Sequence, residues 1–163
     1  MGQDHKSIGP ILNRLLNQAV STGKRVRSET NLGSGAVSIS SAAVELAQLK
    51  VGQEQGVDDL VSLSQEKVAV VGAGRMARLL LQHLQSKGAR SITVVNRTVA
   101  KAEVLAKDFP DLVITCCGLD QLDAQLASNT LLFTSTGAGE PIIDRQRLDA
   151  ITRQARLMLV DIG

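Results

Sequence analysis

The run Val68-Ala69-Val70-Val71 leads directly into Gly72-Ala73-Gly74-Arg75-Met76-Ala77, and this junction constrains the fold more than any other stretch of the chain. A short, continuous apolar run that ends in a turn reads as a parallel strand covered on both faces. The G-x-G-x-x-A pattern behind it is weak by itself, because glycine pairs are common in turns. Its context gives it weight: a strand precedes it, an amphipathic stretch from Arg75 to Ser86 follows, and Ser91-Ile92-Thr93-Val94-Val95 supplies a second strand soon after. In such a unit Gly72 permits the tight turn and Gly74 lets the backbone approach a pyrophosphate. Ala77 allows the helix to pack close to the sheet. The N–H groups of the helix start, around Arg75 and Met76, then face the phosphates.

The same alternation runs to the end of the chain. The helix from Arg75 is expected to turn Leu79, Leu80 and Leu84 inward and to stop at Gly88. Further helices are expected over Val99–Lys107, Asp120–Ala127 and Arg145–Thr152. Strands are expected at Leu112–Thr115, Leu131–Thr134 and Leu157–Val160. Five strands alternating with helices predict an α/β fold, a doubly wound parallel sheet of the Rossmann type. Ahead of it lies a helical extension. Ile11, Leu12, Leu15, Leu16, Ala19 and Val20 form one stripe of a helix from Pro10 to Arg27, with Ser7 as its cap. Residues 31–36 read as a loop, and a second helix is expected from Ser38 to Lys50. The polar, glycine-containing stretch from Val51 to Gln65 reads as a linker. The chain stops just after its last strand, so it is expected to be a piece of a longer protein.

The end of the second strand separates the possible cofactors. Sites that prefer NADH carry Asp or Glu there, to hold the ribose 2′-hydroxyl. This chain has Asn96-Arg97-Thr98 and no carboxylate. Asn96 can hydrogen-bond the ribose, Arg97 offers a planar fork to a 2′-phosphate, and Thr98 adds a hydroxyl donor. NADPH is therefore expected over NADH; otherwise Arg97 is a solvated residue at a strand end. Ser135, Thr136 and Gly137 follow the fourth strand. Ligands of open α/β sheets bind outside the carboxyl ends of strands, which places this loop near the ribose or nicotinamide. The alternative is a plain small-residue turn.

Composition excludes several functions. A net charge of +2 gives no global attraction for nucleic acid, and with two Phe and no Trp or Tyr the chain lacks stacking platforms for single strands. Lys24, Arg25 and Arg27 cluster where a helix C-terminus favours cations, with RNA phosphate contact as the sharper alternative. No apolar run reaches the roughly 18 residues that span a bilayer, and the start has no signal-peptide layout. A cytoplasmic location, or an organelle matrix after loss of a transit peptide, is expected, with no membrane partner. Cys116 and Cys117 are neighbours on a strand and read as buried structural thiols, since vicinal disulfides are strained and the spacing suits no metal. His5 and His83 have no catalytic pattern around them. No catalytic and no metal-ligating residue is assigned.

Several stretches together resemble one family. Gly23-Lys24-Arg25-Val26-Arg27-Ser28-Glu29-Thr30 and the segment Gly35 to Ala47 look like the joining region of the glutamyl-tRNA reductases. The Val-Gly-Ala-Gly-Arg-Met turn, Val95-Asn96-Arg97-Thr98 and Phe133-Thr134-Ser135-Thr136 fit the same family in order and spacing. The resemblance implies NADPH-dependent reduction of glutamyl-tRNA(Glu) to glutamate-1-semialdehyde in tetrapyrrole synthesis. It also implies a thioester on a cysteine of an N-terminal catalytic domain, and a homodimer made by a C-terminal helical domain. The family's Ser-Thr-Cys-Asn-Arg-Thr-like nucleophile motif is not in this sequence, and neither Cys116 nor Cys117 takes its place. The expected division is residues 1–30 as the end of the catalytic domain, 31–66 as joining helix and linker, and 67–163 as the NADPH domain. By itself such a piece is expected to be inactive. A shikimate-type dehydrogenase, which also uses Asn-Arg-Thr, is the alternative, although residues 1–66 hold no matching Lys/Asp motif. A non-enzymatic nucleotide-binding module is the third reading.

Overall fold

Five largely apolar runs, too short for helices and in the first three rich in β-branched residues, become the strands of one sheet in the computed structural model, which describes residues 9–29, 38–137, 139–153 and 156–163. The chain falls into two units, one up to Val37 and one from Ser38 to Gly163. The first is represented by helix α1, Pro10–Glu29. Its stripe of Ile11, Leu12, Leu15, Leu16 and Val20 is exposed, Ile11 by as much as 84%. The expected cap Ser7 and the loop 31–36 lie outside the described residues.

The second unit begins with α2, Ile39–Glu54, capped by the Ser38 hydroxyl accepting from the Ser41 N–H. It continues with β1 (Val68–Val71), α3 (Arg75–Ser86), β2 (Ser91–Val95), α4 (Val99–Ala106) and β3 (Val113–Cys117). A single 3-10 turn then leads into α5 (Leu122–Ser128), β4 (Leu131–Thr134), α6 (Arg145–Asp149) and β5 (Met158–Asp161). All pairings are parallel, in the order β3-β2-β1-β4-β5. The expected doubly wound sheet is therefore present.

Alternate strand residues build two cores. Val68, Val70, Ile92, Val94, Leu131 and Phe133 face α2, α3 and α4, where Val44, Ala47, Leu80, Leu81, Leu84 and Leu105 cover them. Ala69, Val71, Val95 and Leu132 face the other way, onto Leu122 and Leu126 of α5. Both faces being covered explains why the central strands read as unbroken apolar runs.

Several details differ from the sequence reading, among them α6, which ends at Asp149 and does not reach Thr152. Helix α2 runs past Lys50 to Glu54, with Val51 and Gly52 buried. The glycine there is a packing requirement, since a Cβ would lie 2.5 Å from the Asp59 carbonyl oxygen of the returning chain. In α3 the fully buried leucines are Leu80, Leu81 and Leu84, whereas Leu79 is half-buried. Finally, β3 extends through both cysteines, of which Cys117 is buried and Cys116 half-buried.

Candidate dinucleotide site

The switch point of the sheet lies between β1 and β4: the chain leaves β1 toward β2 and β3, then crosses to the opposite side. Loops leaving neighbouring strands there diverge and open a crevice at the carboxyl ends. A cleft of about 750 Å³ occupies this place, within the range of small-molecule sites. Gly72, Ala73 and Gly74 line it from the β1 side, Asn96 and Arg97 from β2, and Ser135, Thr136 and Gly137 from β4.

The two glycines serve different ends. Gly72 has φ +116°, and a Cβ on it would lie 2.8 Å from the Ser135 carbonyl oxygen. Its N–H donates to the Val95 carbonyl at 2.8 Å, and the Ser135 N–H donates to the Val71 carbonyl at 2.9 Å. The turn is thus tied to β2 and β4 at once. Gly74, by contrast, has φ −94°, and nothing lies within 4 Å of a Cβ built there. No described part of this chain demands a glycine at 74. The open space in front of it suits a pyrophosphate, and α3 begins there with the unpaired N–H groups of a helix start.

At the end of β2, the Asn96 Nδ2 donates to the Thr98 carbonyl at 2.8 Å, so this side chain shapes the turn into α4 and leaves Oδ1 as its acceptor. Thr98 precedes α4 without making a side-chain cap. Arg97 is exposed and lines the cleft. Of the sequence-predicted residues, eight meet in the cleft. Arg75 instead lines an adjoining hollow of about 680 Å³ with Arg78 and Lys101, and this hollow shares Ala73 and Gly74 with the cleft. Met76, Ala77 and Thr98 line neither. Ala77 is fully buried under the sheet, as its close-packing role requires.

Sequence reasoning missed Lys101 and the far wall, where Leu119, Glu140, Pro141 and Ile142 complete the cleft. Leu119 follows β3, so the carboxyl-end rule that found Ser135 also points to it. Lys101 carries the weaker signal of standing one helical turn beyond Arg97. Ile142 is fixed by Arg147, whose Nη1 donates to the Ile142 carbonyl at 3.1 Å while its Nε pairs with Asp123 at 2.5 Å.

Burial pushes the thiols of Cys116 and Cys117 up in pKa, with Glu103 adding to the first and Asp120 to the second. Thiols held protonated in this way are poor nucleophiles. Asp161 moves the other way. Its carboxyl is held below the usual range chiefly because the Thr134 hydroxyl donates to it; the Gly163 N–H adds to this, slight burial opposes it, and the Ile162 N–H contributes least. Because the folded pKa is the lower one, the stability it lends is complete above its unfolded value of about 3.9 and is lost as pH falls through the folded value. The gap in urea midpoint between wild type and Asp161→Asn is therefore expected to shrink between about pH 5 and pH 2. A gap independent of pH would overturn this assignment.

The parallel order, the glycine turn at the switch point and the cleft beyond it define the doubly wound class of dinucleotide-binding folds. Residues 54–163 match the family described as shikimate / quinate 5-dehydrogenase, and the chain belongs to that family. Its curated relatives extend the match over the whole chain. It is 99% identical across 163 residues to the glutamyl-tRNA reductase of Synechococcus sp. (strain RCC307) and 68% identical to that of Synechococcus sp. (strain WH7803). All of this chain, but 37% of each relative, is covered. Among solved structures, glutamyl-tRNA reductase from Methanopyrus kandleri aligns with a TM-score of 0.54 at 33% identity, over 93% of this chain and 36% of that one. The chain thus spans little more than a third of the length of the curated relatives it matches. The resemblance read from Gly23 to Ala47 is borne out, because relatives of that name carry the match through residues 1–53, ahead of the family model. Among the described residues, no helix is long and apolar enough to cross a membrane.

Proposed function

We propose that this chain is the NADPH-binding portion of an enzyme that reduces glutamyl-tRNA(Glu) to glutamate-1-semialdehyde for tetrapyrrole synthesis. The observation that carries the proposal is the 99% identity to a glutamyl-tRNA reductase over the whole chain. The cleft supports it by offering Arg97, and no carboxylate, at the end of β2. When bound, the cofactor supplies the hydride. The residues of this chain bind and orient it.

The backbone around Gly72, Ala73 and Gly74 and the first N–H groups of α3, at Arg75, Met76 and Ala77, hold the pyrophosphate. Asn96 accepts from the adenosine ribose through Oδ1, Arg97 grips the 2′-phosphate, and Thr98 adds its hydroxyl. Arg75 and Lys101 enrich the same side in positive charge. Ser135, Thr136 and Gly137 bound the nicotinamide half. Residues 1–30 belong to the catalytic domain, 31–66 join the two, and 67–163 form the cofactor domain. The thioester cysteine, the tRNA contacts and the helices of the homodimer lie in the remainder of a whole protein that works in the cytoplasm.

Titrating the chain with NADPH and NADH, followed by the fluorescence of the cofactor itself, tests this reading. NADPH is expected to bind at least about tenfold more tightly than NADH, from charge-assisted bonds to its extra phosphate. Equal affinities would overturn the NADPH assignment. The chain is further expected to give no aldehyde from glutamyl-tRNA and NADPH, since the Ser-Thr-Cys-Asn-Arg-Thr-like nucleophile motif is not in its sequence. The family match over residues 54–163 favours a shikimate-type dehydrogenase as the second reading. Reduction of NADP by this chain in the presence of shikimate would establish it.

A further inference from the structure

Residues 134–136 run from the end of β4 into the wall of the cleft, held between two anchor points. On one side Ser135 is tied to β1: its N–H donates to the Val71 carbonyl at 2.9 Å, and its carbonyl oxygen abuts Gly72. On the other side the anchor is the end of β5. The Thr134 hydroxyl donates to Asp161 Oδ1 at 2.5 Å, and the Gly163 N–H donates to the same oxygen at 3.2 Å. The Ile162 N–H donates to the Thr134 carbonyl at 2.9 Å. Gly163 then lies against Thr136, so closely that a Cβ on Gly163 would come within 2.5 Å of the Thr136 carbonyl oxygen. One carboxylate oxygen therefore gathers the Thr134 side chain and the backbone that supports Thr136.

Thr136 stands at a boundary. It lines the dinucleotide cleft and also the neighbouring hollow of about 710 Å³, which extends over the ends of β4 and β5 to Asp161, Leu159 and Arg153. A carboxylate at the surface normally keeps its water, and an exposed aspartate has no packing reason to stand at a strand end. Its two accepted bonds give it a reason, because they fix the loop that separates the two hollows.

We propose that Asp161 is a positioning residue for the nicotinamide ring of the cofactor, acting through Thr134 and Gly163 to hold Thr136 at the wall of the cleft. This rests on the reading of the cleft as an NADPH site. The adenosine half, bound at the end of β2, does not depend on Asp161. The proposal therefore separates two ligands: NADPH, which carries the nicotinamide riboside, and 2′-phospho-ADP-ribose, which lacks the nicotinamide ring.

Calorimetric titration of both ligands into wild type, Asp161→Ala, Asp161→Asn and Thr134→Val tests it. Asp161→Ala is expected to weaken NADPH by about tenfold, the loss of an oriented charge-assisted bond, and to leave 2′-phospho-ADP-ribose within about twofold. Asparagine keeps an oxygen at the Oδ1 position, so Asp161→Asn is expected to bring NADPH back to within about threefold of wild type. Thr134→Val should match Asp161→Ala, and the double variant should be no weaker than either single one, since both break one link. Equal weakening of the two ligands by Asp161→Ala would mean a merely structural role and would overturn the proposal, as would unchanged NADPH binding or failure of asparagine to rescue. Thermal melts of each variant identify any that fail to fold, and Asp161→Asn against Thr134→Val then decides the matter. Wild-type chain that binds neither ligand would overturn the cofactor reading itself, and the proposal with it.

Discussion

Replacing Arg97 with alanine is expected to weaken NADPH by about 10- to 100-fold while leaving NADH within about twofold. The asymmetry follows from the chemistry at the end of β2. The two cofactors differ by one phosphate on the adenosine ribose, and Arg97 is the cation that lines the cleft at that strand end. The guanidinium offers parallel donors to two phosphate oxygens, an arrangement a lysine cannot reproduce. Arg97→Lys is accordingly expected to fall between wild type and alanine. The contribution is partly screened, because Arg97 is exposed, so the preference for NADPH should narrow as salt rises. Lys101→Ala is expected to have a smaller effect, as the lysine stands in the adjoining hollow and not in the cleft. The measurement is a pair of binding isotherms for each variant at two salt concentrations. An Arg97→Ala chain that retained its discrimination would overturn the 2′-phosphate assignment.

How much of this was legible in the sequence depends on the range over which each signal acts. The strand that ends at Val71, the turn at Gly72 and the helix from Arg75 are local events, each specified by adjacent residues. They appear in the structure where the sequence placed them. The same holds for Asn96 and Arg97, because the end of a strand also positions the residues just beyond it. Signals that depend on distant partners were harder to read. Helix α2 seemed to stop at Lys50 because the polar, glycine-containing stretch from Val51 to Gln65 reads as a linker, whereas Gly52 is there to admit the chain returning at Asp59. Leu81 shares the i, i+3, i+4, i+7 stripe of Ala77, Leu80 and Leu84, whereas Leu79 points away from it, so placing Leu79 inward in preference to Leu81 misreads a helical period that the sequence does carry. The far wall of the cleft could not be read locally either, since Ile142 owes its place to Arg147 and, through it, to Asp123. Asp161 gives no sequence signal at all. Its role depends on the pairing of β4 with β5, which brings it opposite Thr134, a residue 27 positions earlier in the chain.

Gly72 and Gly74 belong to one motif but are expected to fail in different ways, and this contrast is the sharpest test of the site. Gly72→Ala should destabilise the chain by about 3–5 kcal/mol, combining a left-handed φ that side chains resist with a backbone collision. The collision cannot be relieved by a rotamer change, since the Cβ would meet the Ser135 carbonyl oxygen at 2.8 Å. Relief requires β1 and β4 to part where Ser135 bonds Val71, or the turn to leave Val95. Either movement also opens the wall that the pyrophosphate needs, so stability and binding should fall together. Gly74→Ala meets no atom within 4 Å, and its φ of −94° suits alanine. Its stability cost should stay below about 1 kcal/mol, the usual range for losing a glycine at a helix start. The added methyl group nevertheless occupies the space through which the pyrophosphate reaches the first N–H groups of α3, and NADPH binding should be lost. Urea denaturation followed by far-ultraviolet circular dichroism gives the first quantity, and cofactor fluorescence gives the second. Two variants with equal stability losses would overturn the packing contrast between the glycines, and a Gly74→Ala chain that still binds NADPH would show that the glycine turn does not face the cofactor. With both outcomes as expected, Gly72 is required by the sheet and Gly74 by the ligand.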